Sequence, residues 1–192
     1  MSGTLFAVCG PSGAGKDTVL KLARASLAMQ GSVVFARRII TRAAGEDEDN
    51  VSVSGESFAR SLREGAFLLH WQAHGLSYAL PVHVLDQVRA GTTVIANVSR
   101  GALGALRRLG VPLRIVEITA SPGVLASRLA RRGREDEADQ AARLARNALY
   151  AGEVGADHTI VNDGAPEAAA AEFTRLLCRG LAPQAETTVD IL

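Results

Sequence analysis

A glycine-rich segment near the start of the chain has the residue types needed to hold a chain of phosphates. It consists of Gly10-Pro11-Ser12-Gly13-Ala14-Gly15-Lys16, followed by Asp17 and Thr18. Glycines let successive backbone N–H groups curl around an anion, and a helix that begins here adds partial positive charge. Lys16 can reach the terminal phosphates and stabilise charge as a phosphoryl group moves. The segment matches the first seven positions of the Walker A pattern and predicts ATP binding by residues 10–18.

The position after the lysine departs from that pattern. It is usually Ser or Thr, whose hydroxyl binds Mg²⁺, whereas here Asp17 precedes Thr18. A carboxylate can hold Mg²⁺ directly or through water, because hard cations prefer oxygen ligands. It can instead simply stabilise the N-terminus of the helix. Both roles stay open for Asp17, and Asp17 and Thr18 are the predicted metal ligands.

Strand-like apolar runs alternate with helical segments along the chain. The predicted strands are residues 4–9, 33–40, 93–96, 114–119 and 158–161. The predicted helices are residues 17–29, 122–129, 137–150 and 166–178. Strands separated by helices indicate βαβ units and a parallel sheet covered on both faces. With the phosphate loop after the first strand, this predicts a three-layer α/β/α P-loop NTPase with a five-stranded parallel sheet, in one domain of 192 residues.

Composition excludes several other classes of protein. The formal net charge of +1 gives no global attraction to nucleic acid or a membrane surface. No apolar stretch approaches the roughly 18 residues that a membrane helix needs, and the N-terminus lacks the basic region of a signal peptide. Cys9 and Cys178 are far apart in sequence, and we expect both to be reduced thiols in apolar surroundings. These features predict a soluble, cytoplasmic protein.

Two segments interrupt the alternation of strands and helices. Residues 41–88 contain many polar residues, glycines and an aromatic cluster, which predicts an inserted subdomain. Residues 131–139 are mostly charged, as is typical of an exposed segment. The residues after Pro183 have no clear pattern.

Motifs in order from residue 10 to residue 163 resemble the guanylate kinase group. Besides the phosphate loop, they are Ile40-Thr41-Arg42, Phe67-Leu68 with Gly75 and Tyr78, Arg132-Gly133, Arg143, and residues 157–163. The resemblance implies that Arg42 contacts the acceptor phosphate within an insert at about 38–88. It also implies that Arg132 and Arg143 act with Lys16 in catalysis, from a lid at about 128–142. Asn162 and Asp163 would lie near the adenine of ATP.

Guanine recognition is missing from these motifs. Guanylate kinases have a glutamate where this chain has Leu69, and Tyr78 is followed by Ala79-Leu80 instead of Gly and Ser or Thr. Leucine leaves the N–H groups of guanine unpaired, a loss on the order of several kcal/mol of discrimination. The aspartate expected at the end of the third strand is Asn97. We therefore expect GMP to be a poor acceptor.

The departures are themselves similar to the ribose 1,5-bisphosphate phosphokinase family. The matching segments are residues 38–42 (Arg-Ile-Ile-Thr-Arg), 71–76 (Trp-Gln-Ala-His-Gly-Leu), 97–100 (Asn-Val-Ser-Arg) and 131–135 (Arg-Arg-Gly-Arg-Glu). The Gly-Lys-Asp-Thr form of the phosphate loop is similar as well. The resemblance implies phosphorylation of ribose 1,5-bisphosphate by ATP with Mg²⁺. The product would be 5-phospho-α-D-ribose 1-diphosphate (PRPP), made in phosphonate catabolism.

The chemistry of such a reaction agrees with the residues present. A phosphate monoester has a second pKa of about 6, so its oxygen is already a nucleophile at neutral pH without a strong base. The enzyme must hold two anions in line and neutralise their repulsion, which suits Lys, Arg and Mg²⁺. The cationic candidates for acceptor binding are Arg38, Arg42 and Arg100. The candidates that can bind sugar hydroxyls are Gln72, His74, Tyr78 and Asn97.

Alternative functions and ordinary structural roles remain open. The chain could be a guanylate kinase or another nucleoside monophosphate kinase, or a non-catalytic guanylate-kinase-like binding module, although such modules tend to lose the phosphate loop. A nucleic-acid role has little support, given the near-neutral charge and few aromatics. Trp71 favours a packing role. The acidic residues 46–49 are typical of a solvated loop, and most arginines of the lid segment, Arg128 included, of a solvated helical face.

Overall fold

The computed structural model describes residues 3–27, 33–42, 49–73, 75–131 and 154–181. Its strands are β1 (Leu5–Cys9), β2 (Val33–Phe35), β3 (Arg38–Ile40), β4 (Asn50–Ser52), β5 (Phe67–Ala73), β6 (Leu76–Pro81), β7 (Thr93–Asn97), β8 (Leu113–Thr119) and β9 (His158–Val161). Its helices are α1 (Lys16–Ser26), α2 (Gly55–Arg63), α3 (His83–Arg89), α4 (Leu103–Leu106), α5 (Pro122–Arg131) and α6 (Pro166–Leu181), with a 3-10 helix at Arg100–Ala102.

Five of the strands form a parallel sheet in the order β2-β7-β1-β8-β9. The central strand β1 is buried along its whole length, as expected for a continuous apolar run covered on both faces. In register, Phe6 lies beside Ile95 of β7 and beside Arg114 of β8. The carboxyl ends of these strands meet at one edge of the sheet, where ligands bind in open parallel sheets. The predicted five-stranded parallel sheet is confirmed.

Successive residues of β1 point into two separate hydrophobic cores. Phe6 and Val8 pack with Phe173 of α6 in one core. Leu5 packs with Val84 of α3 in the other. This alternation follows from the period of two in a strand. Helices therefore cover both faces of the sheet, which confirms the predicted three-layer α/β/α architecture.

The predicted strand at residues 33–40 is wrong as a single element. Residues 33–35 form β2 in the parallel sheet, whereas 38–40 form β3 in a second sheet. The Ala36 amide still donates to the Ile95 carbonyl at 2.8 Å, and the chain leaves the first sheet at Arg37. Two consecutive arginines cannot enter a sheet buried on both faces without loss of hydration. After the break, Arg38 reaches Asp17, whereas Arg37 pairs with Asp49.

The second sheet contains four strands in the order β4-β3-β6-β5. β3 pairs in parallel with β4 and antiparallel with β6, and β5 pairs antiparallel with β6. Helix α2 packs on this unit through Phe58 and Phe67, whose ring centroids are 4.8 Å apart. The unit lies inside the segment predicted as an acceptor-binding insert. Its role in acceptor binding, like that of the lid, stays a prediction.

The other predicted elements differ from the structure mainly at their ends. The helix predicted at 17–29 runs from Lys16 to Ser26, and the last two helices extend to Arg131 and Leu181. The helix predicted at 137–150 lies outside the described residues.

The two cysteines have different surroundings. Cys9 is buried at the end of β1, and burial, with a contribution from Glu117, raises the pKa of its thiol to about 11. Cys178 is exposed on α6, so the expectation of apolar surroundings is wrong for it. It lies next to Leu177, which takes the buried position in the helical period. Across the described ranges, we find no helix whose length and apolar character would let it span a membrane.

Phe173 provides a test of the core beneath the site. The residue is fully buried against the central sheet, so Phe173→Ala should lower the free energy of unfolding by about 3–5 kcal/mol. Urea unfolding followed by circular dichroism measures this change. Arg175→Ala, on the exposed side of the same helix, should change it by less than about 0.5 kcal/mol. Equal effects of the two substitutions would contradict the packing described here.

Candidate active site

The glycine loop lies between β1 and α1, and its glycines are required by close contacts. Gly10, Gly13 and Gly15 all have positive φ, at 140°, 88° and 82°. A Cβ on Gly10 would lie 2.0 Å from the Ile118 carbonyl oxygen. A Cβ on Gly15 would lie 2.6 Å from Nδ2 of Asn162. Side chains at Gly10 and Gly15 would therefore push the loop away from the ends of β8 and β9.

Lys16 is the first residue of α1, and its ammonium group is held over the loop. Nζ donates to the Gly10 carbonyl at 2.8 Å and to the Pro11 carbonyl at 2.9 Å. Burial lowers the pKa of Lys16 to about 8, Asp17 opposes the shift, and the positive charges of Arg38 and Arg100 add to it. The lysine is thus placed where a phosphate bound by the loop would meet it.

Asn162 and Asp163 support the loop from the end of β9. Asn162 is 2% exposed, and its Nδ2 donates to the Ala14 carbonyl at 2.8 Å. Its Oδ1 has no hydrogen-bond partner among the described residues. Asp163 Oδ1 accepts from the Ser121 amide at 2.6 Å, at the start of α5. Both residues have a visible positioning role, and their contact with adenine stays a prediction.

Asp17 is the centre of a hydrogen-bonded group that joins the two sheets. Its Oδ1 accepts from Arg38 Nη2 at 3.1 Å and from Asn97 Nδ2 at 2.7 Å. Arg38 Nε also donates to Asn50 Oδ1 at 3.1 Å. Sequence reasoning had left two roles for Asp17, and the structure adds a third: it orients Arg38. Thr18, the other predicted metal ligand, is exposed.

Tyr78 lies next to this group in the second sheet. The Arg38 guanidinium carbon is 5.8 Å from the centroid of its ring. On its other side Tyr78 stacks on Trp71, with centroids 5.6 Å apart and planes 7° apart. Trp71 is therefore a packing residue that fixes the ring of Tyr78. Gln72 is exposed and follows Trp71 in β5, so it projects from the opposite face of the sheet.

The remaining predicted residues are two half-buried arginines and three residues outside the described ranges. Arg100 is half-buried at the start of the 3-10 helix after β7, close enough to lower the pKa of Lys16. Arg42 is half-buried just after β3. His74, Arg132 and Arg143 lie outside the described residues. The structure thus brings Lys16, Asp17, Arg38, Tyr78, Asn97 and Arg100 to one edge of the parallel sheet.

A cavity of about 330 Å³ opens beside Asp17 and extends along α1. Its volume is within the range of small-molecule sites. Its walls come from α1, from the link between β2 and β3, from the start of β4 and from β7. The lining residues are Asp17, Leu20, Lys21, Arg24, Phe35, Ala36, Arg38, Asp49, Asn50, Ile95 and Asn97.

Sequence reasoning missed the far end of this cavity. Asp49, assigned to a solvated acidic loop, pairs with Arg24 and, at 2.7 Å, with Arg37. The spacing of Asp17, Lys21 and Arg24 was a usable signal, because residues three and four apart share one face of a helix. The pairing with Asp49 could not be found from spacing, since it joins residues distant in sequence.

Arg128 is a second residue that sequence reasoning placed wrongly. It was grouped with arginines on a solvated helical face. In the structure it is half-buried, and its Nη1 is buried without a hydrogen-bond partner among the described residues. That atom lies 3.8 Å from the position of a Cβ on Gly15. An unpaired guanidinium N–H beside the phosphate loop is available to an anion bound there.

Comparisons with known proteins agree with this geometry. Residues 5–151 match the family described as "AAA domain". Ribose 1,5-bisphosphate phosphokinase PhnN from Methylobacterium radiotolerans is 50% identical over 173 residues, covering 90% of this chain and 96% of that protein. The protein of the same name from Bradyrhizobium diazoefficiens is 45% identical over 175 residues, covering 91% of this chain and 88% of its own.

The chain belongs to the ribose 1,5-bisphosphate phosphokinase family. Among solved structures, guanylate kinase from Anaplasma phagocytophilum is similar, with a TM-score of 0.69 at 20% identity, covering 95% of this chain and 88% of that one. At that identity the likeness concerns the fold alone.

One local feature distinguishes this member of the ribose 1,5-bisphosphate phosphokinase family from a guanine-binding protein. Leu69 of β5 lies directly opposite Leu80 of β6. Leu80 is fully buried, and Leu69 packs partly buried against the same core. The two positions where guanine would be recognised are thus an apolar pair in the sheet, with no hydrogen-bonding side chain to offer a base.

The depressed pKa of Lys16 predicts a pH dependence of ATP binding. The charged ammonium is the form that attracts phosphate, and the unbound protein loses that charge as pH rises through about 8. The affinity for ATP should therefore fall by up to about tenfold per pH unit above pH 8, relative to its value near pH 7. Above pH 8, calorimetry in buffers of different ionisation enthalpy should detect proton uptake on binding. Constant affinity from pH 7 to 9.5 would contradict the assignment.

Proposed function

We propose that this chain transfers the γ-phosphoryl group of ATP to the 1-phosphate of ribose 1,5-bisphosphate, giving PRPP. The observation that carries the proposal is a phosphate loop with Lys16 directly beside a cavity where Asp17 orients Arg38. The names of the relatives supply the acceptor. We extend the proposal to a place in phosphonate catabolism in the cytoplasm.

The proposed mechanism depends on charge placement. The attacking atom is an oxygen of the acceptor's 1-phosphate, which is largely dianionic at neutral pH and needs no general base. The bond from ATP's γ-phosphorus to its β–γ bridging oxygen breaks as the new P–O bond forms, and ADP leaves. Lys16 stabilises the charge on the transferring group, while Arg38, Arg42 and Arg100 offset the repulsion between the two anions.

The roles proposed for the remaining residues follow from this scheme. Arg132 and Arg143, both outside the described residues, would close over the transferring group as a lid and exclude water. Tyr78, fixed by Trp71, would present its hydroxyl to the acceptor. His74 remains a proposed contact for the sugar hydroxyls, whereas Gln72 projects from the face of β5 opposite Trp71, so we do not extend that role to it. Asn162 and Asp163 would lie at the adenine end, with Asn162 also supporting the loop through Ala14.

The residues at the loop fit a magnesium ion in an unusual arrangement. The common P-loop pattern has a hydroxyl after the lysine and a carboxylate at the strand end, whereas this chain has Asp17 and Asn97. The two side chains touch at 2.7 Å, and Asn97 Oδ1, on a residue 7% exposed, has no hydrogen-bond partner among the described residues. We propose that Asp17 and Asn97 supply the oxygen ligands, although Asn97 was first assigned to the acceptor. Magnesium would neutralise charge on the β- and γ-phosphates.

A nucleoside monophosphate kinase, guanylate kinase first, is the alternative enzyme. Its support is the likeness in fold. The apolar pair of Leu69 and Leu80 argues against base recognition, since a hydrogen-bonding site is what rejects the wrong base. An assay of ADP release with GMP, AMP, UMP and ribose 1,5-bisphosphate as acceptors separates the two functions.

Product analysis tests the proposed reaction directly. With ATP, Mg²⁺ and ribose 1,5-bisphosphate, phosphorus NMR should show a diphosphate on the anomeric carbon. Lys16→Ala should lower kcat/KM by about 100-fold or more, because a charge aimed at the transferring group is lost. Arg89→Ala, at the exposed end of α3, should have no effect. A clear preference for GMP would refute the proposal, and full activity of Lys16→Ala would remove the loop from the mechanism.

Exchanging the residues at 17 and 97 tests the metal ligands. Asp17→Thr should weaken binding of Mg²⁺–ATP much more than binding of metal-free ATP, because the metal's carboxylate ligand is lost. Asn97→Asp added to Asp17→Thr should restore much of the loss by placing a carboxylate at the strand end. Calorimetry with and without Mg²⁺ measures both effects. If Asp17 only orients Arg38, Asp17→Thr will raise KM for the acceptor and leave the Mg²⁺ dependence of ATP binding intact.

A further inference from the structure

The cavity beside the phosphate loop extends well beyond the point where phosphoryl transfer must occur. Asp17, Lys21 and Arg24 lie on one face of α1 and line it in that order. At a rise of 1.5 Å per residue, Arg24 is about 10 Å further along the helix axis than Asp17. The cavity therefore has one end at the loop and another two helical turns away.

The far end of the cavity is a cluster of positive charge built around one carboxylate. Asp49 pairs with Arg24 and with Arg37, whose Nε lies 2.7 Å from Oδ1. The Arg24 guanidinium carbon also lies 5.7 Å from the centroid of the Phe35 ring. Lys21 joins these residues in the cavity wall. Arg24 and Asp49 remain roughly half exposed, at 48% and 46%, so an anion can reach them from solvent.

The charges along the whole cavity favour an anion with two charged ends. Its lining contains three cations, Lys21, Arg24 and Arg38, against the carboxylates of Asp17 and Asp49. Arg38, at the loop end, is oriented by Asp17 and Asn50. The rest of the wall combines the apolar residues Leu20, Phe35 and Ile95 with the amide side chains of Asn50 and Asn97, which can hydrogen-bond hydroxyl groups. A small polyol skeleton with a phosphate at each end matches this distribution.

Resting on the proposed function, we infer that Lys21 and Arg24 form a subsite for the 5-phosphate of the acceptor, the phosphate that does not react. The 1-phosphate must lie at the loop end, beside Lys16, to be phosphorylated. The 5-phosphate is at the opposite end of the pentose and extends along α1 towards Arg24. A guanidinium and an ammonium are the groups that bind a phosphate dianion best.

Asp49 has a defined role in this subsite. Its carboxylate is the anion that Arg24 and Arg37 bind in the structure. A phosphate arriving at Arg24 competes with that carboxylate and displaces it. Asp49 thus lowers the affinity of the subsite for phosphate and keeps the arginines paired when no acceptor is bound.

Removing the two cations tests the subsite. The double variant Lys21→Met with Arg24→Gln should raise KM for ribose 1,5-bisphosphate by about tenfold or more, since hydrogen bonds to charged groups are lost. The value of kcat and the KM for ATP should change less than about twofold, because the loop is untouched. Arg89→Ala, a matched loss of charge on α3, should leave every constant unchanged.

The ligand can be truncated instead of the protein. Ribose 1-phosphate lacks the 5-phosphate, so its binding, measured as inhibition, should be the same in the double variant and the unmodified chain. This comparison also shows that the variant is folded. Asp49→Asn should act in the opposite direction and lower KM for the bisphosphate severalfold, because the competing carboxylate is removed.

Three results would overturn the inference. The first is a double variant whose KM for the bisphosphate matches that of Arg89→Ala. The second is an equal loss of ribose 1-phosphate binding, which would indicate general damage to the cavity. The third is a higher KM in Asp49→Asn, which would make Asp49 a support for the arginines. In each case the unmodified chain still makes PRPP, so the subsite fails alone. If it makes none, the proposed function and the subsite fail together.

Discussion

The close packing of the glycine loop against two neighbouring strand ends is the constraint on which the site depends. At Gly10 the backbone touches the carbonyl of Ile118 in β8, and at Gly15 it touches the amide of Asn162 after β9. The side-chain amide of Asn162 donates to the Ala14 carbonyl, and its backbone N–H donates to the Thr119 carbonyl, both at 2.8 Å. The loop therefore has its shape only because β1, β8 and β9 are adjacent in the sheet. The order of the strands in the sheet therefore determines the geometry of the phosphate site.

The electrostatics of the site follow from that packing. Enclosing Lys16 over the loop removes water from its ammonium group, and the positive charges of Arg38 and Arg100 lie close by. Asp17 is the carboxylate that opposes this effect, and it also binds Arg38 and Asn97. The protein thus holds several positive charges close together at the loop, and Lys16 has lost part of its hydration. Bound phosphates would offset both the repulsion and the lost hydration.

The fold could be predicted from sequence because each of its signals is local. A buried apolar strand, a glycine loop and a helix follow one another at residues 5–26, and the other parallel strands repeat that alternation. The error at residues 33–40 arose because two apolar runs lie only two arginines apart in sequence but belong to different sheets. Only tertiary contacts decide where the chain changes sheet. The wrong prediction of apolar surroundings for Cys178 has a simpler cause. The buried position of the helical period belongs to the preceding residue, Leu177.

The residues of the candidate site also fall into those with a local sequence signal and those whose role depends on tertiary contacts. Lys16 and the loop glycines were identified by spacing, since their chemistry is contained in consecutive residues. Spacing did not identify the role of Asp17 in orienting Arg38 or the pairing of Asp49 with Arg24 and Arg37. It also did not identify the buried Nη1 of Arg128 beside the loop. Each joins segments that are distant in sequence. Residues that act through a neighbour on another element have no pattern of their own in the chain.

The contrast with a guanine-binding site indicates how one fold can accept a different substrate. Base recognition needs hydrogen-bonding groups at fixed positions, and here those positions are an apolar pair inside the sheet. Recognition of a second phosphate needs only cations at the correct distance from the loop, and such residues can be placed on an exposed helical face without changing the core. Arg38 connects the two requirements, because it lies in the second sheet yet binds Asp17 at the start of α1. Its contact with the Tyr78 ring extends that connection further into the second sheet. Under the proposed function and subsite, a change of acceptor on this fold requires new charges along α1 and new partners for one arginine, while the phosphate loop and the parallel sheet stay as they are.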